Sequence, residues 1–220
     1  MTRDVRAVAA LHATFFAAAG VVTLALDAPA KGWAVLALVV AYNVGLPLTA
    51  RAVGRRDWVL LWRFLLPVSI FQIVPDWILA TVVGTLDFPV IGGPRLDDAI
   101  NLSMGGMWVP PLFIVLALAR GSAPAAAGLA VAVFLGSELL APVVDLWEPT
   151  GDTTQVAGVA LYVLPAEAAL GWAAATAFAL VGAASHGRRV LAALATSTFY
   201  TGALVVAYFA IDVAGWSVTV

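Results

Sequence analysis

The 220-residue sequence predicts an all-α integral-membrane protein, one transmembrane domain over residues 1–220 built as a seven-helix bundle with an internally repeated hairpin. Two observations carry this fold class. Hydrophobic residues make up 63% of the chain and charged residues 11%, and the mean hydropathy is +1.00, too apolar for a soluble domain of this size. The apolar residues also fall in runs of roughly 20 between polar breaks, the length one crossing of a bilayer requires.

Taken in order, the spans are expected near residues 5–26, 33–50, 58–84, 98–119, 122–146, 157–183 and 190–213. Span one starts beside Arg6, ends at Asp27 and lacks a small-residue cleavage site followed by soluble sequence, so it is expected to be retained rather than removed as a signal peptide. Lys31 and Arg51 bracket span two, and Asp57 and Gly84 bracket span three. Span four follows Asp97 and Asp98 and stops at Arg120, and span five runs from Ser122 to the acidic stretch around Asp145. Span six begins beyond Asp152, and span seven lies between Arg189 and Asp212.

With seven crossings, the N-terminus and the loops after spans two, four and six share one side. Arg3, Arg6, Arg51, Arg55, Arg56, Arg120, Arg188 and Arg189 fall there, eight of the eleven basic residues. The excess of positive charge on cytoplasmic loops therefore predicts a multi-pass protein of the cell membrane with its N-terminus in the cytoplasm and its C-terminus outside. Lys31 and Arg95 lie opposite, and Arg63 is near enough to its helix end to snorkel back. No nucleic-acid partner is expected, and the lipid bilayer is the obligatory environment.

Ten of the thirteen acids occupy the outer half, and three of these fall inside spans at one depth. Asp76 lies nine residues before the outer end of span three near Thr85, about 13 Å at helical rise. Glu138 is similarly placed in span five, and Glu167 about ten residues into span six. A carboxyl group at that depth costs on the order of 2–3 kcal/mol, so it faces the interior and is either paired or neutral. No lysine shares that level, and the lone intramembrane arginine, Arg63, belongs to the opposite end. A neutral carboxylic acid is the form a proton donor needs. The plainer alternative is that the acids tie helices together or line a wet vestibule.

The connections after spans three and five echo one another. "PDWILATVVGTLDFPVIGGPRLDDAIN" and "SELLAPVVDLWEPTGDTTQVAGVALYVLPAEAAL" both run from an acid through apolar turns to an acid-aromatic-proline element ("LDFP", "LWEP"). A glycine-containing loop and a proline-then-acid helix start follow in each, which predicts a parallel duplication of a two-helix hairpin with the second loop longer. Prolines within the spans, among them Pro75 before Asp76 and Pro165 before Glu167, free backbone carbonyls and bend helices. Aromatics crowd the same level. Phe71 is among them; Phe88 and Trp147 suit an interfacial belt, whereas Trp77, Trp108, Tyr162 and Trp172 suit a pocket lining, where ring faces stabilise cations.

The acid beside Pro and Trp, the acid-aromatic-proline loop and the "LPxE" helix start together resemble the membrane lycopene cyclases, whose repeats carry Pro-Trp-Asp and Pro-Leu-Glu-Glu elements. They are also similar to the small seven-helix terpene cyclases of meroterpenoid and indole-terpenoid pathways. The likeness covers residues 71–172, with the order Pro-Asp-Trp here and single acids in "PAEA". It implies a terpene cyclase that needs no cofactor or metal and cyclises a hydrophobic prenylated substrate by proton initiation. Asp76 and Glu167 match the acidic motif positions and, with Glu138, are the implied catalytic groups. Trp77, Phe71, Asp98, Asn101, Trp108, Asp145, Trp147, Glu148, Tyr162 and Trp172 are the implied substrate-contacting residues.

Two alternatives belong to other classes. Buried acids also serve as relays in proton-coupled transporters, although parallel hairpins and an odd number of spans differ from the inverted halves of many carriers. A prenyltransferase that ionises a diphosphate would use "LDDAIN", expected to present Asp97, Asp98 and Asn101 on one helical face for magnesium with Arg95 nearby. No second motif of that kind follows, and helix capping explains the aspartates equally well.

Overall fold

A computed structural model describes residues 2–214, and every structural statement here concerns those residues. They form α1 Arg3–Ala25, α2 Ala30–Ala52, α3 Arg56–Phe71, α4 Ile73–Trp77 with a π-helical turn Ile78–Val83, α5 Met104–Met107, α6 Val109–Ala119, α7 Ala123–Leu140, α8 Val163–Val181 and α9 His186–Tyr208, which ends in a second π-helical turn, Phe209–Val213. Residues 215–220, and with them the expected outer C-terminus, lie outside the described residues.

Six helical segments are long and apolar enough to cross a membrane: Arg3–Ala25, Ala30–Ala52, Arg56–Val83, Ala123–Val144, Val163–Val181 and His186–Val213. This fits a multi-pass membrane protein. Leu24, Leu180, Leu191 and Val206 stand out from the helices at 71%, 79%, 67% and 68% exposure, a surface suited to an apolar solvent.

The expected fourth span differs. Only Met104–Ala119 is helical there, a shorter apolar stretch, because the residues before it fold as a hairpin of β2 (Arg95–Leu96) on β3 (Ile100–Asn101). Asp97 and Asp98 sit at its tip with φ of 53° and 52°, and Ala99 N–H closes the turn on the Leu96 carbonyl at 3.0 Å. Both residues at positive φ is the geometry of a tight hairpin turn, which Asp tolerates. The expectation that Asp97, Asp98 and Asn101 share one helical face is therefore corrected: they occupy a turn and a strand. Arg95 fixes this hairpin by donating to the carbonyls of Phe88, Pro89, Asp98 and Ala99 and to Asn101 Oδ1, at 2.7–3.1 Å.

Span six likewise starts late. A hairpin of β5 (Gln155–Val156) on β6 (Val159–Ala160) precedes α8, turning at Ala157 (φ 54°) and Gly158 (φ 79°). Glu167 therefore stands four residues after the helix start at Val163, roughly 6 Å. Between the hairpins, β1 (Leu86–Asp87) pairs antiparallel with β4 (Glu148–Pro149), Leu86 opposite Pro149 and Asp87 opposite Glu148.

Proline sets the interruptions inside the spans. Pro75 has no N–H to give the Phe71 carbonyl one turn back, and the Ser197 hydroxyl of α9 donates to that oxygen at 3.0 Å instead. Pro110 similarly leaves the Gly106 carbonyl free, and Asn43 Nδ2 of α2 donates to it at 3.1 Å. In an apolar medium such replacement partners are what make a broken helix tolerable.

The core runs through the middle of the bundle, where Phe64, Leu65, Leu112, Leu170 and Leu204 are buried. α1 is peripheral; of its side chains only His12 and Thr23 are buried. His12 Nδ1 donates to the Val8 carbonyl and Nε2 accepts from the Tyr42 hydroxyl, each at 2.8 Å. α7 and α8 approach through small residues: a methyl group at Gly171 would strike the Ala126 carbonyl and come within 2.6 Å of Ala130 Cβ. Gly171→Leu is expected to destabilise the fold by about 1–3 kcal/mol through overpacking, read as a lower thermal unfolding midpoint in detergent; an unchanged midpoint would show that this contact does not hold the helices together.

Candidate functional site

The three deep acids converge from three helices. Asp76 on α4 is 4% exposed and Glu167 on α8 is 1% exposed, while Glu138, two residues before the end of α7, is partly exposed. Glu138 lies within electrostatic reach of both Asp76 and Glu167. None of the three is in an ion pair among the described residues; the cations that are paired, Lys31 and Arg55, hold Asp145, Asp4 and Asp57.

Local sequence explains each placement. Asp76 follows Pro75, and the break at Phe71–Ile73 turns the short α4 so that Asp76 faces inward. Trp108 stands at the junction of α5 and α6, where its main-chain N–H donates to Ser69 Oγ at 3.1 Å. From there its indole Nε1 donates to Asp76 Oδ2 at 3.4 Å. The same ring packs on Phe134, with 5.1 Å between centroids, and on Tyr200 at 5.7 Å. Glu138 has an indole of its own: Trp147, on the loop after α7, donates to Oε1 at 3.2 Å. Glu167 has no such donor, and its Oε2 is buried without a hydrogen-bond partner.

A polar rung lies one turn below Asp76. Gln72, 0% exposed, accepts from the Ser197 hydroxyl at 2.9 Å through Oε1, while its Nε2 is buried and unpartnered. Nine residues beyond Asp76, the hydroxyl of Thr85 is hydrogen-bonded to that of Tyr162 at 2.9 Å, and Tyr162 packs edge-on to Tyr208 at 5.4 Å. Gln72 Nε2 and Glu167 Oε2 are two of four buried side-chain polar atoms left bare among the described residues, with Arg189 Nε and Asp212 Oδ2, whereas such groups are normally satisfied by protein, water or ligand.

Of the residues expected at the site, Asp76, Glu138, Glu167, Trp108, Trp147 and Tyr162 come together, and Phe71 contributes its carbonyl to Ser197. Trp77 turns away to donate to Asp97 Oδ2 at 3.2 Å, beside a cavity of about 430 Å³ between α4 and the β2–β3 hairpin, lined by Ile73, Val74, Trp77, Leu96 and Asp97. The remaining five lie apart. Asp98 is exposed at the hairpin tip, Asn101 is tied to Arg95, and Glu148 is exposed in β4. Asp145 pairs with Lys31 at 2.9 Å, and Trp172 is 45% exposed against Phe199. Among the described residues no three His, Asp or Glu side chains converge closely enough to hold one metal ion.

Sequence reasoning missed Gln72, Ser197 and Tyr200. The signal was present in α9, whose buried positions Ala193, Thr196, Ser197, Tyr200 and Leu204 repeat at three- and four-residue spacing. A stripe holding three hydroxyl groups is more polar than a lipid-exposed helix needs.

A family model described as Domain of unknown function (DUF6989) matches residues 73–211, well over half of the chain. It begins at α4, so all three acids and Tyr200 fall within it while α1, α2 and α3 precede it. No curated protein and no solved structure is matched.

Ser197→Ala is expected to leave both the Phe71 carbonyl and Gln72 Oε1 without their donor, at a cost of about 1–3 kcal/mol. Denaturant titration of the purified protein would report it as a lower midpoint, and an unshifted midpoint would mean that water replaces the hydroxyl.

Proposed function

The chain belongs to the DUF6989 family, and from its site we propose that it is a membrane-embedded terpene cyclase that folds a prenylated hydrophobic substrate by proton-initiated cyclisation. The observation that carries this reading is the pair of buried acids without a cation, Asp76 and Glu167, set among Trp108, Phe134 and Tyr200. Glu167, whose Oε2 meets no donor, is the acid with most to lose by ionising; on this reading it stays protonated and gives its proton to the substrate. Asp76 has an indole N–H to stabilise its carboxylate, and it removes the final proton from the cyclised cation. The aromatic faces between them stabilise positive charge as it moves along the chain, and exclusion of water prevents its early capture.

The membrane arrangement completes the proposal. On this reading Met104–Ala119 is a short fourth crossing beside the six long ones, and the distribution of basic residues supports a cytoplasmic N-terminus in the cell membrane. A duplicated hairpin is supported by an offset of 60 positions from Leu86 of "LDFP" to Leu146 of "LWEP" and from Asp97 to Ala157 for the positive-φ turns, the paired strands starting 62 apart at Leu86 and Glu148. Leu86 opposite Pro149 and Asp87 opposite Glu148 is the register two copies related by a two-fold axis would adopt. The equal offset also means the second loop is not longer between these points, because the extra residues noted in sequence belong to the hairpin and helix ends.

Asp76→Asn and Glu167→Gln, each in folded protein, are expected to lower turnover of farnesylated or geranylgeranylated acceptors to isobaric cyclised products by roughly 10²-fold or more. Full activity in both variants would overturn the assignment. Uptake of a small molecule by proteoliposomes without chemical conversion would favour the proton-coupled transporter. Loss of activity on chelation, restored by magnesium, would favour the prenyltransferase.

A further inference from the structure

A cyclisation started and ended by protons consumes none overall, yet the donor is left ionised and the acceptor protonated after each turnover. In a site closed to water something must carry that proton back. We propose that the Tyr200 hydroxyl links Asp76 and Glu167 and returns the proton from one to the other. The proposal rests on the cyclase reading for its purpose, but the link itself is a separate structural claim.

Tyr200 is 3% exposed on the polar stripe of α9, one turn beyond Ser197. Ser197 is bonded to Gln72, and Asp76 follows Gln72 by four residues as Tyr200 follows Ser197 by three, so the spacing puts Tyr200 and Asp76 on the level next to the Ser197–Gln72 bond. The edge of the Tyr200 ring meets Trp108, whose indole N–H is on Asp76. Glu167, Asp76, Glu138 and Tyr162 are the titratable groups within its electrostatic reach. Its hydroxyl has no hydrogen-bond partner among the described residues, and neither does Glu167 Oε2. A phenol is both donor and acceptor, the property a link between two carboxyl groups requires. In the return step the Asp76 carboxylic acid gives its proton to the phenolic oxygen while the phenolic O–H proton passes to the Glu167 carboxylate. One O–H bond forms and one breaks at each oxygen pair, tyrosine ends neutral, and no charge or oxidant is required. Tyr200 acts through the two acids and is a positioning and relay residue rather than one that attacks substrate.

Two measurements on the purified full-length protein test this. Infrared spectra of the resting protein should contain a carboxylic C=O band, assigned by its loss in Glu167→Gln, and Tyr200→Phe should shift that band; an unshifted band overturns the link whatever the protein catalyses. In turnover, a prenylated probe deuterated at the carbon that loses its proton should, in wild type, deliver that deuterium to the protonated carbon of the next product. Tyr200→Phe, which keeps the ring and removes only the hydroxyl, should slow the turnovers after the first at least tenfold more than it slows the first and replace the returned deuterium with solvent hydrogen. Steady turnover with label return intact in Tyr200→Phe overturns the relay. A shifted band in a protein that converts no prenylated probe would overturn the cyclase reading and leave the link standing.

Discussion

The molecule is organised around two carboxyl groups buried without a counter-charge. Asp76 and Glu167 are 4% and 1% exposed, and neither forms an ion pair among the described residues. An isolated carboxylate in such surroundings is costly, so each hydrogen bond the pair receives or lacks weighs on its charge. Trp108 supplies an N–H to one acid and none reaches Oε2 of the other, which makes two chemically similar groups unequal. Unequal carboxyl groups in one dry site are the basis of acid and base assignments in general.

The rest of the fold serves to hold that pair in place. Pro75 breaks the third span immediately before Asp76, and the break survives in an apolar interior only because Ser197 satisfies the carbonyl the proline abandons. The same helix, one turn later, brings in Tyr200. At the end of the bundle that carries the hairpins, short strands pair and the Tyr162 and Thr85 hydroxyls are bonded. Arg95, placed among acids in the sequence, spends its donors on loop carbonyls and stiffens this end rather than meeting a ligand.

Much of this was legible beforehand, for physical reasons. Apolar runs of membrane length, and acids standing out within them, are statements about solvent, and solvent acts on every residue in the same way. Where a backbone departs from the helix within an apolar run, hydropathy is silent: residues 98–103 and 157–162 read as helix, yet they fold as hairpins because two residues at positive φ can turn the chain there. Depth counted from the expected helix start therefore placed Glu167 too far inside its span. Trp172 and Asp145 were grouped with the site by level alone; the direction a side chain faces around its helix, and a partner such as Lys31, are set by packing that a single sequence does not display. Tyr200 was overlooked for a different reason: hydroxyls at Thr196, Ser197, Thr198 and Thr201 surround it, and only packing tells which of these face inward.

The central claim is that a proton from a buried acid starts a reaction on an apolar chain. It is tested most directly by a single turnover, with protein exchanged into heavy water and mixed in excess with a geranylgeranylated acceptor. The account predicts a cyclised product carrying one deuterium on carbon, in an amount that follows the protein. A recovered acceptor without deuterium, or a product formed without deuterium on carbon, would contradict it.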